Sequence, residues 1–599
     1  MIPALCSFLA IIILITITLL VISNISSKKK RTFMIYMVGS DLESNGSFAT
    51  FDLNDITNSD IDLKNNNIIL MIGGSKKWHN FANENEIGIY ELQKSGFKKI
   101  NNYPVTNMAT SKSLSFFLNY VYKDYKSEEY DLIFWNHGLG AAGLESDEIS
   151  DDFIDLIELD DAFKNSSFNN EKLELVIFNN CLSGNYQFAN VMSKYADYMV
   201  GSEEVMYVSA FIDRLNFLEK VKKEDNGYDI GKYYIDISDD SMKRLNELSY
   251  QKYDSTLSII DLSNMHNLDK TVNDFISSID LSKDYYGVSR ARFNTYTYSK
   301  SANYIYDTVD LYELVEELEP YSNDSKLAKK LKNEIKNTVK YNSAINNHSN
   351  GLSIYFPYYG GTNNIEIHLY LFNKLWDDDY TNFISNYYES NSKKKRANRA
   401  TSELNINKLT NDISIDADEI SIELTDDEKS NYQRGNIYLF KKNSDNLYTL
   451  AVKSNNIELE NNTLKYRIKG IIKNNDDIVS LIDTDEQYVY SQINEIDTIS
   501  KIKIDDDVTI IGTTFDNEKL PSGAIIDDIS NIKYYQLIYS IDNEEIETDI
   551  KEKIDKKNIN NSSKELQFID TIDEEYYVLI EYFDINNDNF FTNLKKIDK

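Results

Sequence analysis

Two cysteines in 599 residues are too few for a disulfide framework, and their placement removes even a single bridge. Cys6 lies in an apolar, membrane-like segment, so Cys181 has no partner in the rest of the chain. Histidine is almost as scarce: His79, His137, His266, His348 and His368 are the full set. Positive charge is short too. Against 97 Asp and Glu stand 63 Lys and Arg, a formal net charge of -34. The only dense basic runs are Lys28–Arg31 and Lys393–Arg396, which excludes nucleic acid as an expected partner. Residues 403–599 contain no His, Cys or Trp, so thiol or imidazole chemistry belongs to the first 400 positions.

Residues 1–27 lack charge altogether, and Ala4 to Ile25 is almost wholly apolar, long enough to cross a bilayer at about 20 residues. A cleaved signal peptide would carry a basic start and a shorter apolar core. The expectation is therefore a single-pass membrane anchor over 1–27. Lys28–Arg31 follow it, and the positive-inside tendency would keep what comes next in the cytoplasm. The expectation adopted is nonetheless an extracellular catalytic part at the cell membrane.

Beyond the anchor, apolar runs and helical periodicities alternate. Thr32–Val38, Ile68–Ile72, Asp131–Trp135, Leu173–Phe178 and Tyr198–Val200 read as strands. Ser111–Tyr122, Ile157–Phe163 and Phe188–Tyr195 read as helices between them. Thr256–Ile260 and Gly351–Phe356 read as further strands of the same unit, and Asp310–Leu318 and Leu371–Tyr388 as helices. That alternation implies an α/β fold: a mostly parallel sheet sandwiched by helices over 32–389. Residues 390–402 are basic, polar and without period, an exposed linker. Short strands with Asn/Asp-rich turns then recur through 403–599, the pattern of an all-β C-terminal domain.

Two of the strands deliver reactive side chains at their carboxyl ends. DLIFW leads to Asn136-His137, and LELVIF to Asn179-Asn180-Cys181. A thiol is weakly ionised at neutral pH and needs a base beside it; an imidazole serves. Adjacent parallel strands would bring the two tips together at the rim where open α/β sheets place their sites. Gly138, Gly140 and Gly143 let the following loop turn tightly, and the amides of Gly138 and Cys181 are the natural oxyanion donors. The plainer reading is a cysteine buried as a small hydrophobe and a histidine satisfying a turn. A metal site is not expected. Asp147, Glu148, Asp151 and Asp152 could offer oxygen ligands to calcium, but an acidic loop in so acidic a chain reads first as solvated surface.

These residues resemble the clostripain family of cysteine peptidases, which shares the caspase-like fold. Thr32–Glu43 (TFMIYMVGSDLE), the helix Phe51–Ile56, and Asn107-Met108 with Leu114 and Phe117 follow the family's order. So do Trp135-Asn136-His137-Gly138-Leu139-Gly140 and Phe178-Asn179-Asn180-Cys181-Leu182-Ser183. Tyr195–Tyr198, Gly201–Glu204, Ser258–Ser263 and Gly351–Pro357 resemble later landmarks, so the likeness spans about 32–389. It implies peptide-bond hydrolysis by a Cys181–His137 dyad and, in relatives, a maturing cut between the two strands. Calcium would come only by resemblance, with no specific motif here. No other cofactor is implied.

One departure matters. The family usually carries Asp two residues before the cysteine, as part of an acidic S1 pocket for Arg or Lys; here it is Asn179. Glu203, Glu204 or Asp213 could substitute, with Ser209 on the same stretch. Leu144–Phe163 holds no Lys or Arg, so an Arg/Lys-directed enzyme could not cut itself there. The expectation is a monomeric cysteine endopeptidase acting on protein or peptide, of uncertain P1 preference. The alternative is a catalytically weak or inactive membrane-anchored surface protein that uses the peptidase scaffold for binding.

Overall fold

The computed structural model describes residues 29–599, apart from 104–106, 208–212, 249–254, 299–305, 345–347, 358–364, 402–408, 417, 445–446, 475–476, 484–486, 494–495, 505–507, 516–531, 542–556, 559–565, 571–575, 585–588 and 598–599. The proposed span Ala4–Ile25 and Ser209 lie outside the described residues. Among the described residues no helix is long and apolar enough to cross a membrane.

The fold grows from strands that are apolar on both faces. β1 (Lys29–Val38) is buried from Arg31 onward. Its even positions Met34, Tyr36 and Val38 join one core cluster, and its odd positions Phe33, Ile35 and Met37 the other. Each such side chain stabilises the fold by about 1.5–3 kcal/mol. The other main-sheet strands are β2 (Asn66–Gly73), β3 (Ile87–Gln93), β4 (Gly96–Tyr103), β5 (Ser127–Trp135), β8 (Leu173–Asn179), β9 (Ala196–Ser202), β10 (Leu257–Asp261) and β12 (Val339–Asn342). The nine lie in the order β12-β10-β9-β8-β5-β1-β2-β3-β4. The centre, β2-β1-β5-β8-β9, is parallel, and both edges are antiparallel.

One face is covered by α2 (Phe48–Asn58), which follows α1 (Ser40–Gly46), and by α6 (Gly227–Leu248) with the 3-10 segment Arg214–Lys220. The other face packs under α3 (Ser111–Asp124), α4 (Leu156–Lys164), α5 (Tyr186–Met192), α7 (Met265–Ile276), α8 (Leu281–Asn294), α9 (Leu311–Leu318), α10 (Ser325–Thr338), α11 (Ile365–Leu375) and the start of α12 (Asp379–Thr401). This is the α/β architecture expected from the sequence.

Five details differ from the sequence reading. The edge hairpin β3–β4 and the helix α6 carried no recognisable signal. The stretch Gly351–Phe356 forms β13 (Ser353–Tyr355), which pairs with β11 (Thr308–Asp310) in a separate two-stranded sheet. The acidic loop after His137 is a hairpin of β6 (Gly143–Asp147) and β7 (Asp152–Asp155), with Leu144, Glu145, Asp147 and Ile154 buried. Residues 391–401, expected to be an aperiodic linker, continue α12 to Thr401.

The basic run before β1 is used by the fold. Lys29 Nζ donates to the Leu63 and Asn66 carbonyls, and Lys30 reaches Glu128 and Glu129. Arg31, 1 % exposed, pairs with Asp131 at 2.7 Å and Glu174 at 2.6 Å. C-terminal to α12 the chain is strand-rich and almost wholly antiparallel, Val452–Ser454 with Leu481–Asp483 being a parallel pair. It buries its own cluster around Ile437, Val452, Leu481, Val578 and Ile580. Arg290 of α8 donates to the Tyr432 carbonyl at 3.5 Å, between the two parts.

Candidate active site

β5 and β8 pair in parallel with Trp135 opposite Asn179. Both strands end there, and two residues further on the chain places His137 and Cys181. The loops they enter touch: a Cβ added to Gly138 would lie 1.8 Å from the Cys181 carbonyl oxygen and 3.0 Å from its nitrogen. Only glycine permits that approach. Asn136 ties the histidine loop down. Its Nδ2 donates to the Val38 and Ser146 carbonyls, and its Oδ1 accepts from the His137 and Ser146 amides. After the cysteine, Leu182 takes φ +58°, the left-handed turn that lets the chain leave the strand tip. Asn185 then caps α5 by accepting from the Phe188 amide at 2.9 Å.

The imidazole is oriented by a residue that the sequence reading did not single out. His137 Nε2 lies 2.6 Å from Asp41 Oδ1. Asp41 opens α1 directly after β1, the neighbour of β5. Burial pushes its carboxyl up, but the hydrogen bond and charge of His137, with help from Ser40, hold it below its ordinary value of 3.8. It is a carboxylate at neutral pH. With Nε2–H donated to Asp41, the lone pair sits on Nδ1.

Cys181 is 9 % exposed and packs with Trp135, Ile177 and Met206. Its Sγ accepts from the Met206 amide at 3.4 Å. No hydrogen bond joins Sγ to the imidazole in this resting arrangement. Burial pushes the thiol up to about 11, with Glu204 adding to the shift. The amides of Met206 and Gly138 and the Arg214 charge oppose it. The Gly138 amide, expected to be an oxyanion donor, thus faces the sulfur.

The remaining expected site residues separate. Asn179 stays at the strand tip, 8 % exposed, its Oδ1 accepting from the Tyr234 hydroxyl at 2.8 Å. Glu203 is fully buried and turned away, accepting from the Gly351 amide at 2.8 Å. Burial and then Asp310 push its carboxyl well up. Asp213 pairs with Arg244 at 2.6 Å and accepts from Ser241 and Asn216. Glu204 is the acid felt at Cys181; its Oε1 accepts from the Val205 amide at 2.8 Å. Asp41, Met206, Arg214 and Asp52 were missed. Asp147, read as part of a solvated acidic loop, is instead buried and accepts from the Met108, Ile149 and Ser150 amides.

The clostripain family profile matches residues 35–490, most of the chain and well past α12. A buried thiol and an oriented imidazole, each two residues beyond the tip of one of two adjacent parallel strands, stand within that matched region. The chain belongs to the clostripain family. No curated protein matches it. Among solved structures, a secreted C11 cysteine protease from Bacteroides thetaiotaomicron, in complex with an irreversible peptide inhibitor, is similar at 14% identity. That match covers 58% of this chain and 98% of that one, with a TM-score of 0.44. An inactive zymogen C11 protease from Parabacteroides distasonis is 18% identical over 60% of this chain and 98% of its own, with a TM-score of 0.43.

Proposed function

We propose that the protein is a cysteine endopeptidase in which Cys181 is the nucleophile and His137 the base. The observation that carries this reading is the Gly138–Cys181 contact, which holds the two loops together at the tips of β5 and β8. Nδ1 of His137 takes the Sγ proton as sulfur bonds to the scissile carbonyl carbon. The Gly138 and Cys181 amides hold the oxyanion. His137 returns the proton to the leaving nitrogen as the C–N bond breaks, leaving a thioester. Water, deprotonated by His137, then displaces sulfur and releases the acid. Asp41 orients the imidazole and stabilises the imidazolium formed in both halves.

The fully buried Glu203 and the Arg244-paired Asp213 support loss of the usual acidic S1 pocket, leaving Glu204 alone of the substitutes near the thiol. The β6–β7 hairpin, pinned by Met108, Gly74 and Lys76, supports a chain that is not cut there. The separate C-terminal core supports an accessory β unit after about residue 402. An outward-facing, membrane-anchored enzyme is proposed on residues 4–25, and the carboxylate and carbonyl partners of Lys29–Arg31 give those cations a role in the folded protein. Protease shaving of intact cells should remove most of the chain; complete protection would reverse the orientation.

The test of activity is hydrolysis of a P1-diverse peptide library by the full chain beside Cys181→Ala and His137→Ala. Turnover by wild type alone is expected. Equal rates from all three would refute it. The raised thiol pKa favours the second reading, a binding protein on a peptidase scaffold, and the same comparison decides between them.

A further inference from the structure

Near Cys181 lies a buried cation, Arg214, that makes no ion pair among the described residues. Arg214 is 6 % exposed. Its Nη2 donates to the Tyr207 carbonyl at 2.7 Å, and its Nε has no partner. Buried guanidinium groups are as a rule paired, because desolvating an uncompensated charge is costly.

Its position ties it to the thiol. Tyr207 follows Met206, whose amide donates to Cys181 Sγ. The Arg214 charge is felt at Cys181, at Tyr234 and at Asp52. Asn179, Asp52 and Asp213 each hold another donor, and Glu204 is the further acid felt at the thiol. Asn179 Oδ1 accepts from Tyr234, and Asp52 accepts from Trp135 Nε1 at 2.5 Å. Asp213 belongs to Arg244. The donors left to meet an incoming group are Arg214 Nε, which has no partner, and Nδ2 of Asn179, two residues before the nucleophile. A lysine or arginine side chain brought there would meet like charge. A carboxylate would complete the set.

Resting on the cysteine-peptidase reading of this site, we infer that the enzyme cleaves after acidic residues, Asp or Glu at P1 being held by Arg214 and Asn179. Where the resemblance implies a pocket acid, this chain carries the amide of Asn179.

The full chain is assayed at pH 6 on peptides differing only at P1. Glu or Asp should exceed Lys or Arg by about tenfold or more in kcat/KM. Arg214→Gln should lower kcat/KM for the P1-Glu peptide roughly 10- to 100-fold, chiefly through KM, and much less for P1-Ala. Arg214→Lys should restore part of it. Asn179→Asp, which supplies Arg214 with a counter-ion, should reduce the acidic preference without depending on the fold of an Arg214 variant. A wild-type preference for Lys or Arg, or for uncharged residues over Glu and Asp, overturns the inference. So does an equal loss on P1-Glu and P1-Ala peptides in Arg214→Gln. A separate readout uses Cys181→Ala and fluorescent product peptides ending in Glu, Ala or Lys, which share the terminal carboxylate. Tighter binding of the Glu peptide that Arg214→Gln abolishes, with no turnover by wild type, would keep the pocket and refute the peptidase. Turnover with a basic preference would do the reverse.

Discussion

Replacing Asp41 tests whether the imidazole is oriented or merely nearby. The Nε2–Oδ1 bond of 2.6 Å joins a carboxylate to a ring that becomes cationic in both chemical steps. A hydrogen bond to a charged group is worth about 1.5–3 kcal/mol. Asp41 is 34% exposed at its side chain, so solvent screening puts the value toward the lower end. At about 1.4 kcal/mol per decade, Asp41→Ala should lower kcat roughly 10- to 100-fold. Asp41→Asn keeps an acceptor for Nε2–H but not the charge, and should fall between the variant and wild type. Because Asp41 touches the base and not the substrate, KM should stay within about twofold while kcat falls. Steady-state kinetics on one good peptide, with thermal unfolding as the control for folding, is the assay. If Asp41→Ala retains kcat within twofold, or loses activity through KM alone, the orienting role is refuted.

Iodoacetamide should alkylate Cys181 in the resting enzyme about 100-fold more slowly than an exposed thiol of pKa 9.0, with the rate climbing until about pH 11. Rapid labelling at pH 7 would show that the thiolate is already formed. Gly138→Ala must push the Cys181 carbonyl away from the β5 tip and should cost at least about 100-fold in kcat, since a shift near 1 Å has that effect; near-normal turnover would mean that the loops are not held by this contact. Arg31→Met leaves Asp131 buried without its partner and should destabilise the protein by about 3–5 kcal/mol in denaturant unfolding, whereas a loss under 1 kcal/mol would make the pair dispensable. Intact-mass measurement of wild type beside Cys181→Ala should find no wild-type-specific cut within 144–154; such a cut would show that the hairpin opens.

What the sequence made legible was whatever lies buried on both faces. β1, β2, β5, β8 and β9 read as near-continuous apolar runs because helices cover them twice. β4 escaped because it is a half-exposed edge with Lys98 and Lys99 facing solvent. α6 escaped because its apolar stripe of Ile230, Tyr234, Ile235, Met242 and Leu245 is broken by Gly231, Asp236 and a Ser-Asp-Asp run. Asp41 is ninety-six positions from His137, and only the order β5-β1 puts the two side by side. Glu203 and Glu204 looked interchangeable in a string of letters. Adjacent residues leaving a strand face opposite ways, so one is buried against Gly351 and the other is felt at the thiol.

The state of the carboxyl groups around the cleft decides how the Asn179 replacement is read. A pocket that had lost one acid by drift would keep the rest of its negative surroundings available to a basic side chain. Here Glu203 is sequestered, Asp213 is paired with Arg244, and Asp52 is pushed up to about 7, mostly by burial against the partial relief of Trp135 and Arg214, with Asp55 and Asp213 raising it further. Below that pH Asp52 is uncharged and no longer compensates Arg214. Above it, ionised Asp52 begins to compensate Arg214 and to repel an incoming carboxylate. The preference for acidic P1 residues should therefore be largest below pH 7 and decline above it. Asp52→Asn should flatten that decline, as measured by the ratio of kcat/KM for P1-Glu and P1-Ala peptides from pH 5.5 to 8.5. A ratio that rises with pH, or that declines unchanged in Asp52→Asn, would place the controlling charge elsewhere.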